Sequence, residues 1–121
     1  MQRFVRSRIG PALLAGAVLG VMSAGPAAAE TRSQIQARLE DYIRLALSAD
    51  ECAFPMNADD ATYLGNAIDA AIADLDLPAT GYDSIMLEVS RTMRNEGWTG
   101  LCRPDGTWAR QYRERLNALY P

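Results

Sequence analysis

The sequence predicts an all-α fold, a small bundle of about four helices stapled by one disulfide. Three observations carry that expectation. After position 29 the apolar residues recur at three- and four-residue intervals instead of alternating, which is the period of a helix face and not of a strand. The prolines of this region, Pro55, Pro78 and Pro104, stand between the periodic stretches and separate them. The chain has two cysteines, Cys52 and Cys102, and an isolated even pair in an oxidising compartment reads as a disulfide.

The compartment is inferred from the first residues, MQRFVRSRIGPALLAGAVLGVMSAGPAAAE. Arg3, Arg6 and Arg8 precede an uncharged stretch from Ile9 to Ala29 that closes on Ala27, Ala28 and Ala29. This is the layout of a secretory signal peptide: charged n-region, apolar h-region, small-residue cleavage site. Residues 1–29 are therefore expected to be removed, and 30–121 to form a single helical domain with no stable membrane insertion once the leader is gone. An uncleaved anchor is the alternative, but the glycines and prolines of the stretch and its small-residue end favour removal. No cysteine ends the apolar run and Ser7 splits Arg6 from Arg8, so the expected route is general secretion to the periplasm or beyond.

The first helical pattern places Ile35, Leu39, Tyr42, Ile43 and Ala46 on one face and Arg38, Asp41, Arg44 and Ser48 off it, over about Ser33 to Ala49. Thr31 and Gln34 have capping-box spacing. Pro55 then restrains Phe54 and breaks the helix. The second pattern opens with Asn57 or Asp59 as N-cap and Asp60 in the first turn, and carries Ala61, Leu64, Ala67, Ile68, Ala71, Ile72 and Leu75 up to Pro78. Its many alanines permit close approach of a neighbour, so it is expected to be the most buried element. The third begins near Thr80, with Asp83 at the acid position of a capping box, and aligns Tyr82, Ile85, Met86, Val89 and Met93. Arg91 and Arg94 suit its C-terminal dipole, and Gly97 is placed as its left-handed cap.

The stretch GWTGLCRPDGTW, Gly97 to Trp108, packs both tryptophans of the chain, three glycines, a proline and a cysteine into a joint between helices. Pro104 takes the second position of a turn, and Asp105 or Thr107 the N-cap of a last helix that carries Trp108, Tyr112, Leu116 and Leu119 inward. Cap, disulfide and turn account for most of this segment. Trp98 and Trp108 are what remains. They either plug the end of a small core or form an aromatic platform for a partner, and they are the candidate partner-binding residues.

The residues also exclude chemistry. The chain has no histidine, which removes the usual general base and the Ser-His and Cys-His nucleophile arrangements, and no lysine for Schiff-base chemistry. There is no CxxC, no CxxCH and no glycine-rich phosphate loop. The acid pairs Asp50–Glu51, Asp59–Asp60 and Asp74–Asp76 are read as helix caps and solvated faces, and DLDLPATGYDSIMLE lacks the ligand spacing of an EF-hand loop. No catalytic, cofactor-binding or metal-binding residue is expected. The formal charge of −3 becomes −6 on loss of the three leader arginines, which points away from nucleic acid. Eleven acids and Arg44 alone occupy Glu40 to Glu88, whereas six arginines and three acids occupy Arg91 to Arg115.

What remains is a non-enzymatic exported protein that acts by binding another protein, as an inhibitor of the immunity type or an accessory subunit, docking through the alanine-rich second helix or the Trp98 and Trp108 region. The layout is also similar to that of the small acid-stress chaperones of the enterobacterial periplasm: leader, about ninety residues, helices and one disulfide across some fifty positions. This chain departs from that family in having no lysine and no shared motif around Cys52 or Cys102. The likeness implies a second function, in which acid neutralises the carboxylates between Glu40 and Glu88, leaves the arginines unopposed and exposes apolar stripes.

Overall fold

In the computed structural model, which describes residues 29–121, helix α1 (Arg32–Cys52) lies between its neighbours and not against one of them. Leu39 and Ile43 are buried on one side of it, and Leu45 and Ser48 on nearly the opposite side. Burial on two sides needs apolar or small residues off the main stripe, and Leu45, Leu47 and Ser48 supply them. Burying Leu39, Ile43 and Leu45 contributes about 2 kcal/mol each. The central element is thus α1 and not the alanine-rich helix, of which Leu64, Ala71 and Leu75 are buried while Ala61 is exposed. Alanine allows close approach but contributes little area, so the helix with larger side chains takes the middle. Ser48, expected on the solvent side, is fully buried.

The first helix also outruns its expected end at Ala49 by three residues. Ala53, at φ 55°, stops it in the left-handed region, directly before the Phe54–Pro55 pair. Helix α2 (Ala58–Leu75) then runs back along α1. Its N-cap is Asn57, in a reciprocal capping box: Asp60 N–H donates to Asn57 Oδ1 at 2.7 Å and Asn57 N–H to Asp60 Oδ2 at 3.1 Å. Asp76 ends the helix in the left-handed conformation, and Arg32 donates to the Leu75 carbonyl at 2.6 Å, tying the start of α1 to the end of α2.

Helix α3 (Ala79–Glu96) starts one residue earlier than expected, and its cap is Pro78, with no side-chain cap hydrogen bond. The Pro78 carbonyl already accepts from Gly81 and Tyr82, so Thr80 is drawn inside the helix and its capping box with Asp83 does not form. Val89 and Met93 face the core. Gly97 ends the helix with its N–H on the Met93 carbonyl at 3.0 Å; at φ 99° and ψ 110° it lies outside the left-handed helical well but in territory that only glycine enters easily.

A single-turn helix α4 (Trp98–Leu101), which the spacing does not announce, follows at once. The expected turn at Arg103–Gly106 is present, with Gly106 N–H donating to the Arg103 carbonyl at 3.0 Å. Helix α5 (Thr107–Asn117) is capped by Gly106 and by neither Asp105 nor Thr107: Asp105 sits inside the Arg103–Gly106 turn, and Thr107 is the first helical residue. Trp108, Ala109, Tyr112 and Leu116 are buried, whereas Leu119 lies beyond the helix end and is half-buried.

The described residues are thus all-helical, four long helices and one turn of helix, with Cys52 and Cys102 bonded at the end of α1. Arg32–Pro121 form one unit. The expected leader, apart from Ala29, lies outside the described residues. No described helix is long and apolar enough to cross a membrane.

Candidate functional site

The two tryptophans are set in different surroundings. Trp108, in the first turn of α5, is 6% exposed, and its indole N–H donates to Ser48 Oγ at 2.8 Å. This satisfies a donor that burial would otherwise leave unpaired, and it gives Ser48 a reason to be inside. Two guanidiniums lie over the indole, Arg44 at 4.7 Å and Arg115 at 5.4 Å from the ring centre. Each is held by a carboxylate: Arg44 by Glu96 at 3.4 Å and Arg115 by Asp41. Trp108 therefore joins α5 to α1. Trp98 is half-buried against the core, and Cys102 N–H donates to its carbonyl at 2.8 Å, so the α4 turn links it to the disulfide.

The same end of the molecule is closed by Tyr112, whose hydroxyl donates to the Pro55 carbonyl at 2.9 Å and whose ring meets Phe54 at 5.0 Å. Burial, and secondarily the charge of Asp60, push the Tyr112 phenol above its ordinary range. Beside Trp108 a depression of about 650 Å³ is walled by Arg44, Leu101, Arg103, Thr107 and Gln111. Its cations are already matched, since Arg44 is bonded to Glu96 and Arg103 stands 3.9 Å from Asp105.

The acid pairs are dispersed. Asp50 and Glu51 are exposed at the end of α1, Asp59 and Asp60 share the first turn of α2, and Asp76 is that helix's C-cap. Asp60 has structural work: besides its part in the capping box it accepts from the Tyr120 hydroxyl at 2.5 Å, and the Tyr120 ring meets Tyr63 at a tilt with ring centres 4.6 Å apart. The hydrogen bond to Asp60, with desolvation and the charges of Asp60 and Asp59, pushes the Tyr120 phenol up to about 12. Among the described residues no group of three or more Cys, Asp or Glu side chains is placed to hold a metal ion.

A feature the sequence reading passed over lies between α1 and α3. Leu87 is 65% exposed, and it borders a depression of about 380 Å³ shared with Leu47, Asp83, Met86 and Ser90. Among the described residues the other exposed large apolar side chain, Tyr120, is tied to Asp60 and Tyr63, whereas Leu87 is not one of the apolar residues packed against the core. One signal was available: Leu87 falls off the Tyr82–Ile85–Val89–Met93 stripe, on a face otherwise made of Asp83, Ser84, Glu88 and Arg91.

Comparison of the chain with protein families, with characterised proteins and with solved structures finds no match.

Proposed function

We propose that this is an exported, periplasmic protein without catalytic activity, and that it acts by binding another protein, as an immunity-type inhibitor or an accessory subunit. The observation that carries the reading is Leu87, a large aliphatic side chain left in solvent beside the apolar walls of Leu47 and Met86. One aliphatic residue in solvent is ordinary, but Leu87 continues the apolar walls of Leu47 and Met86 into one patch, and a contiguous apolar patch is the mark of a partner-binding surface. The disulfide supports an oxidising compartment. The docking face moves from the tryptophans to the α1–α3 depression, because Trp108 is committed to Ser48.

The test is crosslinking and affinity recovery of the tagged mature protein from the envelope of its own organism at neutral pH, with Leu87→Gln in parallel. One stoichiometric partner, recovered by the wild type and lost by the variant, supports the proposal. No partner with either protein overturns it.

A second reading, an acid-stress chaperone, is favoured by the two ion pairs that flank Trp108. Asp41–Arg115 joins α1 to α5 and Glu96–Arg44 joins α1 to α3, so the links around Trp108 are partly exposed ion pairs. Its mark is many clients after acidification with none at neutral pH, together with a rise in the fluorescence of a hydrophobic dye.

A further inference from the structure

Resting on the binding reading, we infer that the α1–α3 depression receives one amphipathic helix carrying basic residues beside its apolar ridge. The depression is open to solvent, with aliphatic walls from Leu47, Met86 and Leu87. An open concavity between two helices suits side chains presented by a third helix laid across it, in the way helices are bound in grooves.

The charge of the occupant follows from the rim. Asp83 forms part of the wall, and Asp50 and Glu51 stand three and four residues after Leu47, hence on the same face of α1 and one turn away. None of these three carboxylates has an ion-pair partner among the described residues. Glu88, next to Leu87, is neutralised by Arg91 at 2.6 Å, which leaves Arg94 as the nearby cation without one. The wall itself therefore carries one carboxylate, Asp83, and no cation, and Asp50 and Glu51 extend that negative charge one turn along α1. Lysines or arginines flanking the ridge of the incoming helix complement it, and their attraction falls with ionic strength because the pairs are exposed.

Two other occupants fit less well. In a symmetric dimer the patch meets itself, so its carboxylates would lie against the carboxylates of the second copy. An anionic lipid surface meets the same repulsion.

The experiment uses the oxidised mature protein, isotopically labelled, titrated with a synthetic leucine–lysine peptide of helical apolar period and with its leucine–glutamate counterpart. The expected result is binding of the lysine peptide, with amide shifts centred on Leu47, Asp83, Met86 and Leu87, and weakening on addition of salt. Leu87→Gln weakens it by about tenfold, the scale of one buried aliphatic anchor. Leu87 is exposed, so this variant keeps the wild-type melting curve, and Asp83→Asn gives a second variant that alters charge alone and flattens the salt dependence.

Equal binding of the glutamate peptide, shifts centred elsewhere, or no binding of the lysine peptide overturns the inference. So does self-association that disappears in Leu87→Gln, which assigns the depression to a second copy. If the lysine peptide fails but Leu87→Gln still loses the envelope partner, the basic helix is wrong and the binding reading stands. If the variant changes neither, both fall.

Discussion

Replacing Ser48 by alanine removes one oxygen atom from the centre of the molecule. In the structure that oxygen is the acceptor for the Trp108 indole N–H at 2.8 Å, and Ser48 is 0% exposed. Trp108 is 6% exposed and Arg44 and Arg115 lie over its ring, so the indole is largely shielded from water. The lost partner leaves a buried donor unsatisfied, at a cost of about 1–3 kcal/mol. For a domain of ~90 residues the unfolding entropy is roughly 0.2 kcal/mol/K, so a middle value of about 2 kcal/mol lowers the Tm by about 10 °C. The assay is thermal and urea unfolding of wild type, Ser48→Ala, Trp108→Phe and the double variant. Phenylalanine has no N–H, so Ser48→Ala costs much less in the Trp108→Phe background, and the coupling is about 1 kcal/mol or more. A Ser48→Ala effect within about 0.5 kcal/mol, the range of ordinary surface sites, with no coupling, refutes the reasoning and returns Ser48 to the solvent face.

The remaining predictions concern the ends of the elements. Cys102→Ala releases a bridge spanning 50 positions and costs about 4 kcal/mol by loop entropy, read as a fall of about 20 °C in Tm. The untreated wild type should also show no thiol that reacts with a labelling reagent. Asp76, at φ 53°, places a negative charge at the C-terminal end of α2, so Asp76→Asn, which tolerates the same backbone, stabilises by about 0.3–1 kcal/mol at low salt; a loss in urea unfolding contradicts the cap assignment. Ala53→Val places a β-branched side chain at φ 55° and destabilises, while Ala53→Gly is neutral or better, and the order of their melting temperatures checks it. The Tyr120 phenol is raised from about 10 to about 12, so the fold favours its protonated form. That contribution is whole below pH 10 and is lost as pH rises towards 12, so Tyr120→Phe shows a shallower loss of stability in this window and lacks the last part of the tyrosinate absorbance titration.

Much of the fold is legible along the chain because its causes are local. Helical periodicity, the breaks at Pro55, Pro78 and Pro104, the opening of α2 at one of the two caps the spacing offers, Asn57, and the Arg103–Gly106 turn each depend on a few neighbouring residues, and each is found where the spacing puts it. The pairing of Cys52 with Cys102 is long-range, but with two cysteines in the chain it has one solution. The candidate site was not legible in this way. Trp108 attracts notice as sequence but is held by Ser48, and Leu87 attracts none until its exposure is known.

By itself the sequence determined that the chain is helical, where its long helices break, and which two residues are bridged. The tertiary structure alone decided which helix is central, that Ser48 lies inside, that α5 is capped by Gly106, and that Leu87 faces solvent beside Leu47 and Met86. The reason is that a helical repeat identifies one apolar face but not the number of neighbours around the helix. With neighbours on two sides, α1 buries a serine, whereas one face of α3 is left uncovered and leaves a leucine in water.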